Sequence, residues 1–115
     1  MIRMTEETNE GICVVSPGTE RLTAANASMF KEEMLALVDD GKDRLVIDFS
    51  DVTFLDSSGL GALVGLLKRV GNRGDIVVCT LADNVQQMFR ITRMNKVFAS
   101  YADAASAVRA LKERV

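Results

Sequence analysis

Histidine and tryptophan are absent from this 115-residue chain, tyrosine and proline occur once each, and cysteine occurs twice. Without histidine the chain lacks the usual general base for a serine nucleophile and the commonest transition-metal ligand, so most hydrolase and metal chemistries drop out. Cys13 and Cys79 sit in separate apolar segments and form no C-x-x-C pair, which predicts buried, reduced thiols and no metal site. The longest apolar run, Gly59 to Leu67, is far shorter than a membrane span, and Met1 to Glu7 contain no signal-peptide core. A cytoplasmic protein with no membrane contact is expected.

What is present describes one ordinary core. A composition 48% hydrophobic and 26% charged suits a single domain over residues 1–115. The net charge of -2 argues against direct nucleic-acid binding. The densest basic group, Lys68, Arg69 and Arg73, falls at a predicted helix end, where cations complement the negative pole of the helix dipole. The acidic pairs Asp39/Asp40, Asp48/Asp51 and Glu32/Glu33 have no metal-loop spacing. No cofactor or metal is expected.

Hydrophobic spacing predicts the elements. Arg3 to Glu7 and Gly11 to Ser16 read as a hairpin, and Ser16-Pro17-Gly18 ends its second strand. Ala27, Phe30, Met34, Leu37 and Val38 recur at helical spacing from Ala24 to Asp39, with Thr23 as N-cap and Gly41 as stop. Leu45 to Phe49 and Ile76 to Leu81 are continuous enough to be strands covered on both faces. Between them a helix runs over Leu60 to Val70, with Leu60, Leu63, Val64, Leu67 and Val70 inward, closed by Asn72-Arg73-Gly74. Asn84 to Thr92 reads as a short helix with Val85, Met88 and Phe89 inward, and Lys96 to Ser100 as an edge strand. The last helix, Asp103 to Arg114, would turn Ala104, Ala105, Val108, Leu111 and Val115 to the core. The order β-β-α-β-α-β-α-β-α predicts an α/β domain with a mixed sheet and four helices packed against it.

The chemistry-bearing segment is Asp56-Ser57-Ser58-Gly59-Leu60-Gly61. It sets two hydroxyls at a helix start, where free N–H groups and the positive dipole end can seat a phosphate. Ordinary capping by Asp56, Ser57 or Ser58 explains the same residues. Gly61 and Gly65 share one side of the helix and suggest close approach, by another backbone of the domain or by a partner. Gly59 to Gly65 also form a G-x-G-x-x-x-G run with Asp75 downstream, yet the glycines do not directly follow a strand and Asp75 precedes one. Dinucleotide binding is therefore not expected, and the chain is not read as an enzyme.

The run from Leu45 through Gly61, LVIDFSDVTFLDSSGLG, resembles the signature of the STAS domain family, specifically the bacterial anti-sigma factor antagonists. Arg21 to Ala27 is similar to that family's lead into its first helix, and the segments Ile76 to Leu81 and Val85 to Phe98 follow in the family's order. The resemblance implies a partner switch. In such systems the unphosphorylated antagonist binds an anti-sigma factor that is often also a serine kinase, freeing the sigma factor. Phosphorylation of the first serine ends the interaction, and a serine phosphatase restores it. By position the phosphoacceptor would be Ser57. Asp56 would shape the loop, Ser58 would cap or neighbour the site, and Gly59 and Gly61 would let the helix start pack closely.

Three residues depart from the family pattern: Thr23 replaces a common acidic residue, while Glu20 and Arg93 replace common glycines. If position 93 requires positive φ, Arg93 is strained or the turn differs. A diffusible antagonist would be a monomer or weak dimer. The alternatives are a STAS scaffold or sensor subunit of a stress-signalling assembly, or the same switch acting on a non-sigma effector.

Overall fold

The computed structural model describes residues 1–114. Seven strands, β1 (Arg3–Glu7), β2 (Ile12–Ser16), β3 (Arg21–Leu22), β4 (Arg44–Asp48), β5 (Phe54–Leu55), β6 (Asp75–Cys79) and β7 (Ser100–Tyr101), alternate with four helices. The helices are α1 (Ala27–Asp39), α2 (Ser57–Val70), α3 (Asp83–Ile91) and α4 (Ala104–Lys112). The main sheet has the order β1-β2-β4-β6-β7. Only β1 runs antiparallel, as the outer strand of the hairpin, so the sheet is mixed as expected.

The continuous apolar runs are explained by burial on both faces. Cys13 and Val15, Leu45 and Ile47, and Ile76 and Val78 point into a large core with α1, α2 and α3. Their alternates Ile12, Val14, Val46, Val77 and Cys79 meet Ala107, Val108 and Leu111 of α4 on the other side. Cys13 and Cys79 thus lie on opposite faces as free buried thiols, and burial pushes the Cys79 thiol up to about 11. An edge-to-face chain of Phe49, Phe89 and Phe98, with centroids 6.2 and 6.1 Å apart, fastens α3 to the sheet.

Several boundaries differ from the sequence reading. The first helix begins at Ala27, and Thr23 is not its cap. The Asn26 side chain accepts from Thr23 N–H at 3.0 Å, Ala27 N–H reaches Thr23 O at 2.8 Å, and Ala24 N–H is drawn away to Asp56. A tight turn therefore replaces the expected first helical turn. Gly41 does stop the helix, at φ +89°. In α2 the fully buried side chains include Ala62 and Leu66, whereas Val64 and Leu67 lie at the flanks; α1 packs against α2 and rotates the buried stripe away from the sheet-only direction. Met88 is likewise only half-buried.

The expected edge strand over Lys96 to Ser100 shrinks to Ser100–Tyr101. Val97 and Phe98 donate to Met94 O at 3.0 and 2.8 Å, a turn that lets Phe98 reach the core but leaves too little extended chain to pair. In α4, Ala107 is buried while Ala105 is exposed and Ala104 is half-buried; Val115 lies outside the described residues. The small parallel pair β3–β5 was not anticipated, because two-residue strands have no detectable periodicity.

Candidate functional site

The segment Asp56-Ser57-Ser58 is placed by the β3–β5 pair. Thr53 N–H donates to Glu20 O at 2.8 Å and Asp56 N–H to Leu22 O at 3.3 Å, so the chain leaving β5 lies against the chain leaving β3. Both then enter helices, α2 and α1, beyond the carboxyl ends of the parallel strands. This is the side of an open α/β sheet on which ligands and partners usually meet the fold.

Asp56 joins the two helix entries. In an extended conformation as N-cap of α2, it accepts from Gly59 N–H at 3.0 Å through Oδ1 and from Ala24 N–H at 3.1 Å through Oδ2. The Gly59 N–H, aided by that of Ala24, holds the Asp56 carboxyl below the ordinary carboxylate range, against a smaller opposing effect of desolvation. A lowered value means that its contribution to stability is complete above the usual carboxylate range and is lost as pH falls through the lowered value. Capping is thus the work of Asp56, and Ser58 is not the cap.

Ser57 is the first residue of α2, and both serines are exposed. Neither hydroxyl has a hydrogen-bond partner among the described residues. Ser58 borders a shallow groove of about 320 Å³ between α1 and α2, lined by Ala24, Ala27, Ser28, Lys31, Gly61 and Ala62. The groove floor is made of small side chains, which lets another surface approach both helix starts. Its one cation, Lys31, lies across Gly65; a β-carbon there would fall 2.7 Å from Lys31 Nζ.

The glycines separate by environment. Gly59 is the position of close backbone approach: a β-carbon would stand 2.6 Å from Leu22 O and 2.6 Å from Leu55 Cδ1. Gly61, expected to pack closely, faces open space, with nothing within 4 Å of the point a β-carbon would occupy. Gly61→Ala should therefore stabilise the fold by about 0.5 to 1 kcal/mol, the helix-propensity difference, measured by urea denaturation. A loss of stability would contradict the open space.

Sequence reading missed the residues that shape the surroundings. Asn26 ties the turn before α1 by donating to Arg21 O at 2.9 Å, and Asn84 bridges from α3 to Thr53 O at 2.6 Å. Arg21 stacks over Phe54, its β3–β5 partner, at 4.3 Å. The spacing Thr23-x-x-Asn26 is a turn signal that could have been read, whereas the Asn84 bridge and the Arg21–Phe54 stack join segments far apart in sequence. Glu20 and Thr23 fit without left-handed backbone, but Arg93 stands at φ +62°. The turn expected from a glycine is kept and the arginine bears the strain. Asp75 is at the opposite end of the sheet, paired with Arg114 at 3.1 Å, so it cannot serve a ligand at the Gly59 loop. Among the described residues no group of three or more cysteine, aspartate and glutamate side chains could hold a metal ion.

The STAS domain family matches residues 3–107. The chain belongs to that family. Its relatives include anti-sigma factor antagonists: the Bacillus subtilis anti-sigma-B factor antagonist is 29% identical over 85 residues, covering 73% of this chain and 77% of the relative. BtrV of Bordetella bronchiseptica, a putative anti-sigma factor antagonist, is 30% identical over 89 residues, covering 75% and 77% of the two chains. Among solved structures, an anti-sigma factor antagonist from Mycobacterium paratuberculosis superposes with a TM-score of 0.83 at 27% identity, covering 97% of this chain and 95% of the other. In this STAS domain no helix of the described residues is long and apolar enough to cross a membrane.

Proposed function

We propose that this STAS domain is an anti-sigma factor antagonist in a phosphorylation-controlled partner switch, with Ser57 as the phosphoacceptor. The unphosphorylated form binds an anti-sigma factor that is also a serine kinase, through the surface made by Asp56, Ser57, Ser58 and Gly61, with Gly59 holding that surface in place. Binding frees the sigma factor, phosphorylation ends binding, and a serine phosphatase reverses it. The observation that carries this reading is the exposed, unpartnered Ser57 hydroxyl at the first position of α2, one residue before Ser58, which borders the groove between α1 and α2.

A phosphate adds roughly -1.5 to -2 charge at neutral pH. On Ser57 it would stand beside the Asp56 carboxylate and in the path of a docking partner, where repulsion and desolvation oppose contact. The free domain tolerates the same phosphate, because first-turn N–H groups and the helix dipole favour an anion there. The chemistry belongs to the kinase and phosphatase; this chain is their cytoplasmic protein substrate, acting as a monomer or weak dimer. Incubation with a candidate serine kinase from the same genome and ATP, followed by peptide mapping, should place one phosphate on Ser57 and none on Ser57→Ala. A phosphate confined to Ser58 or Ser28 would sink the assignment.

A further inference from the structure

Residues Asn84 to Ala102 contain none of the chain's sixteen aspartate and glutamate side chains. Within them Arg90-Ile91-Thr92, Arg93-Met94-Asn95 and Lys96-Val97-Phe98 repeat a cation followed by an apolar side chain at a spacing of three. The repeat wraps one corner of the fold, from the last turn of α3 through the left-handed Arg93 into a 3-10 turn over Met94–Lys96. Ile91 and Val97 are 70% and 46% exposed, two of the four large hydrophobic side chains exposed on the described surface. Arg90, Arg93 and Lys96 are exposed and pair with no carboxylate among the described residues, whereas Arg3, Lys42, Arg69, Arg73 and Arg114 each do.

Arg90 complements the dipole at the end of α3, but the exposed apolar side chains and the left-handed arginine do not help the fold. Ile91 and Val97 leave apolar surface in water, and an arginine at φ +62° is less favourable than glycine at that turn while its guanidinium pairs with no carboxylate. We infer that this corner is a second docking surface, fitted to an acidic amphipathic segment of a protein partner. Carboxylates on the segment would meet Arg90, Arg93 and Lys96, and apolar side chains would cover Ile91 and Val97. A lipid surface fits less well: polybasic membrane sites use about 4 to 8 cations, and three are present on a corner of a net-acidic chain.

The corner is remote from Ser57. Val97 lines the same cleft as Leu67 and Gly71, at the far end of α2, and a helix of 14 residues spans about 21 Å. The second partner can therefore bind whether or not the Ser57 surface is occupied or phosphorylated, and the inference does not depend on the function proposed above.

The test is an NMR titration of the intact, isotope-labelled chain with a synthetic amphipathic peptide bearing leucine and glutamate on one helical face. Its lysine counterpart and phosphatidylserine-containing vesicles serve as competing probes. The glutamate peptide should shift amides from Arg90 to Phe98, equally in wild type and Ser57→Asp. Arg93→Gly should weaken binding several-fold while raising the melting temperature, which separates lost contact from lost fold. The triple variant Arg90→Glu, Arg93→Glu, Lys96→Glu should abolish the shifts. Equal shifts with the lysine peptide, shifts centred elsewhere, or none at millimolar peptide would overturn the inference, and vesicle binding lost in the triple variant would reassign the corner to a membrane.

Discussion

Ser57→Asp should lower affinity for the cognate anti-sigma factor by about 100-fold or more, an effect of roughly 2.7 kcal/mol or above. The new carboxylate stands next to Asp56, whose own charge is held in place by Gly59 and Ala24 N–H groups, so the anions cannot relieve each other by protonation near neutral pH. A partner packed on the helix start must strip water from both. The isolated domain should respond in the opposite direction: an anion in the first turn of α2 interacts favourably with the helix dipole, by about 0.3 to 1 kcal/mol when exposed. Calorimetric titration should thus show lost binding while urea denaturation shows unchanged or slightly higher stability. Ser57→Ala should retain binding. Equal affinities of wild type and Ser57→Asp would mean that charge at this position is not the signal.

Gly59→Val should destabilise the domain by about 3 kcal/mol and lower its melting temperature by roughly 12 °C. The first atom added at Gly59 already meets Leu22 O and Leu55 Cδ1, each at 2.6 Å, and Leu22 Cγ at 3.1 Å. None of these can retreat cheaply. Leu22 and Leu55 are 0% and 2% exposed, and their backbones are paired in β3–β5. Gly59→Ala meets the same obstacle with less bulk and regains up to about 1 kcal/mol of helix propensity, so its cost should be nearer 1 to 2 kcal/mol. Because Gly59 N–H and Leu22 O both hold Asp56, the valine variant should also slow phosphorylation of Ser57 in proportion to the displaced loop. A valine variant as stable as wild type would show that the Leu22 segment yields freely and that Gly59 is not the close-packing position.

The contrast between Gly59 and Gly61 shows where sequence reading stops. Both lie in one motif, and spacing alone assigned close packing to Gly61 and Gly65. The close neighbours of Gly59 are Leu22 and Leu55, brought there by a strand pair too short to have a pattern. Likewise, a helix starting at Ala24 is a fair reading of local spacing, and it fails because Asn26 closes a turn on Thr23 before the helix, a turn that Asp56, 32 positions away, holds through the Ala24 N–H. The turn itself left a local signal in Thr23-x-x-Asn26, whereas the Asp56 bond that holds it left none. Leu66 and Ala62 were missed for a related reason: the direction of burial on α2 depends on α1 as well as the sheet.

By itself the sequence determined the class of the fold and the family to which it belongs. Continuous apolar runs require strands covered on both faces, helical spacing between them requires crossovers, and the absence of histidine turns the serine pair at a helix start away from hydrolase chemistry, while the proposal of Ser57 as phosphoacceptor comes from the resemblance of LVIDFSDVTFLDSSGLG to the STAS signature. These properties are local or compositional, so they survive being read along one dimension. Tertiary structure alone decided that Asp56 is the cap and ties two helix entries together, that Gly59 and not Gly61 is closely packed, and that Ile91 and Val97 stay exposed at the corner after α3 while its cations meet no carboxylate among the described residues. Each of those depends on which distant backbone or carboxylate is within reach, and reach is set only when the chain has folded.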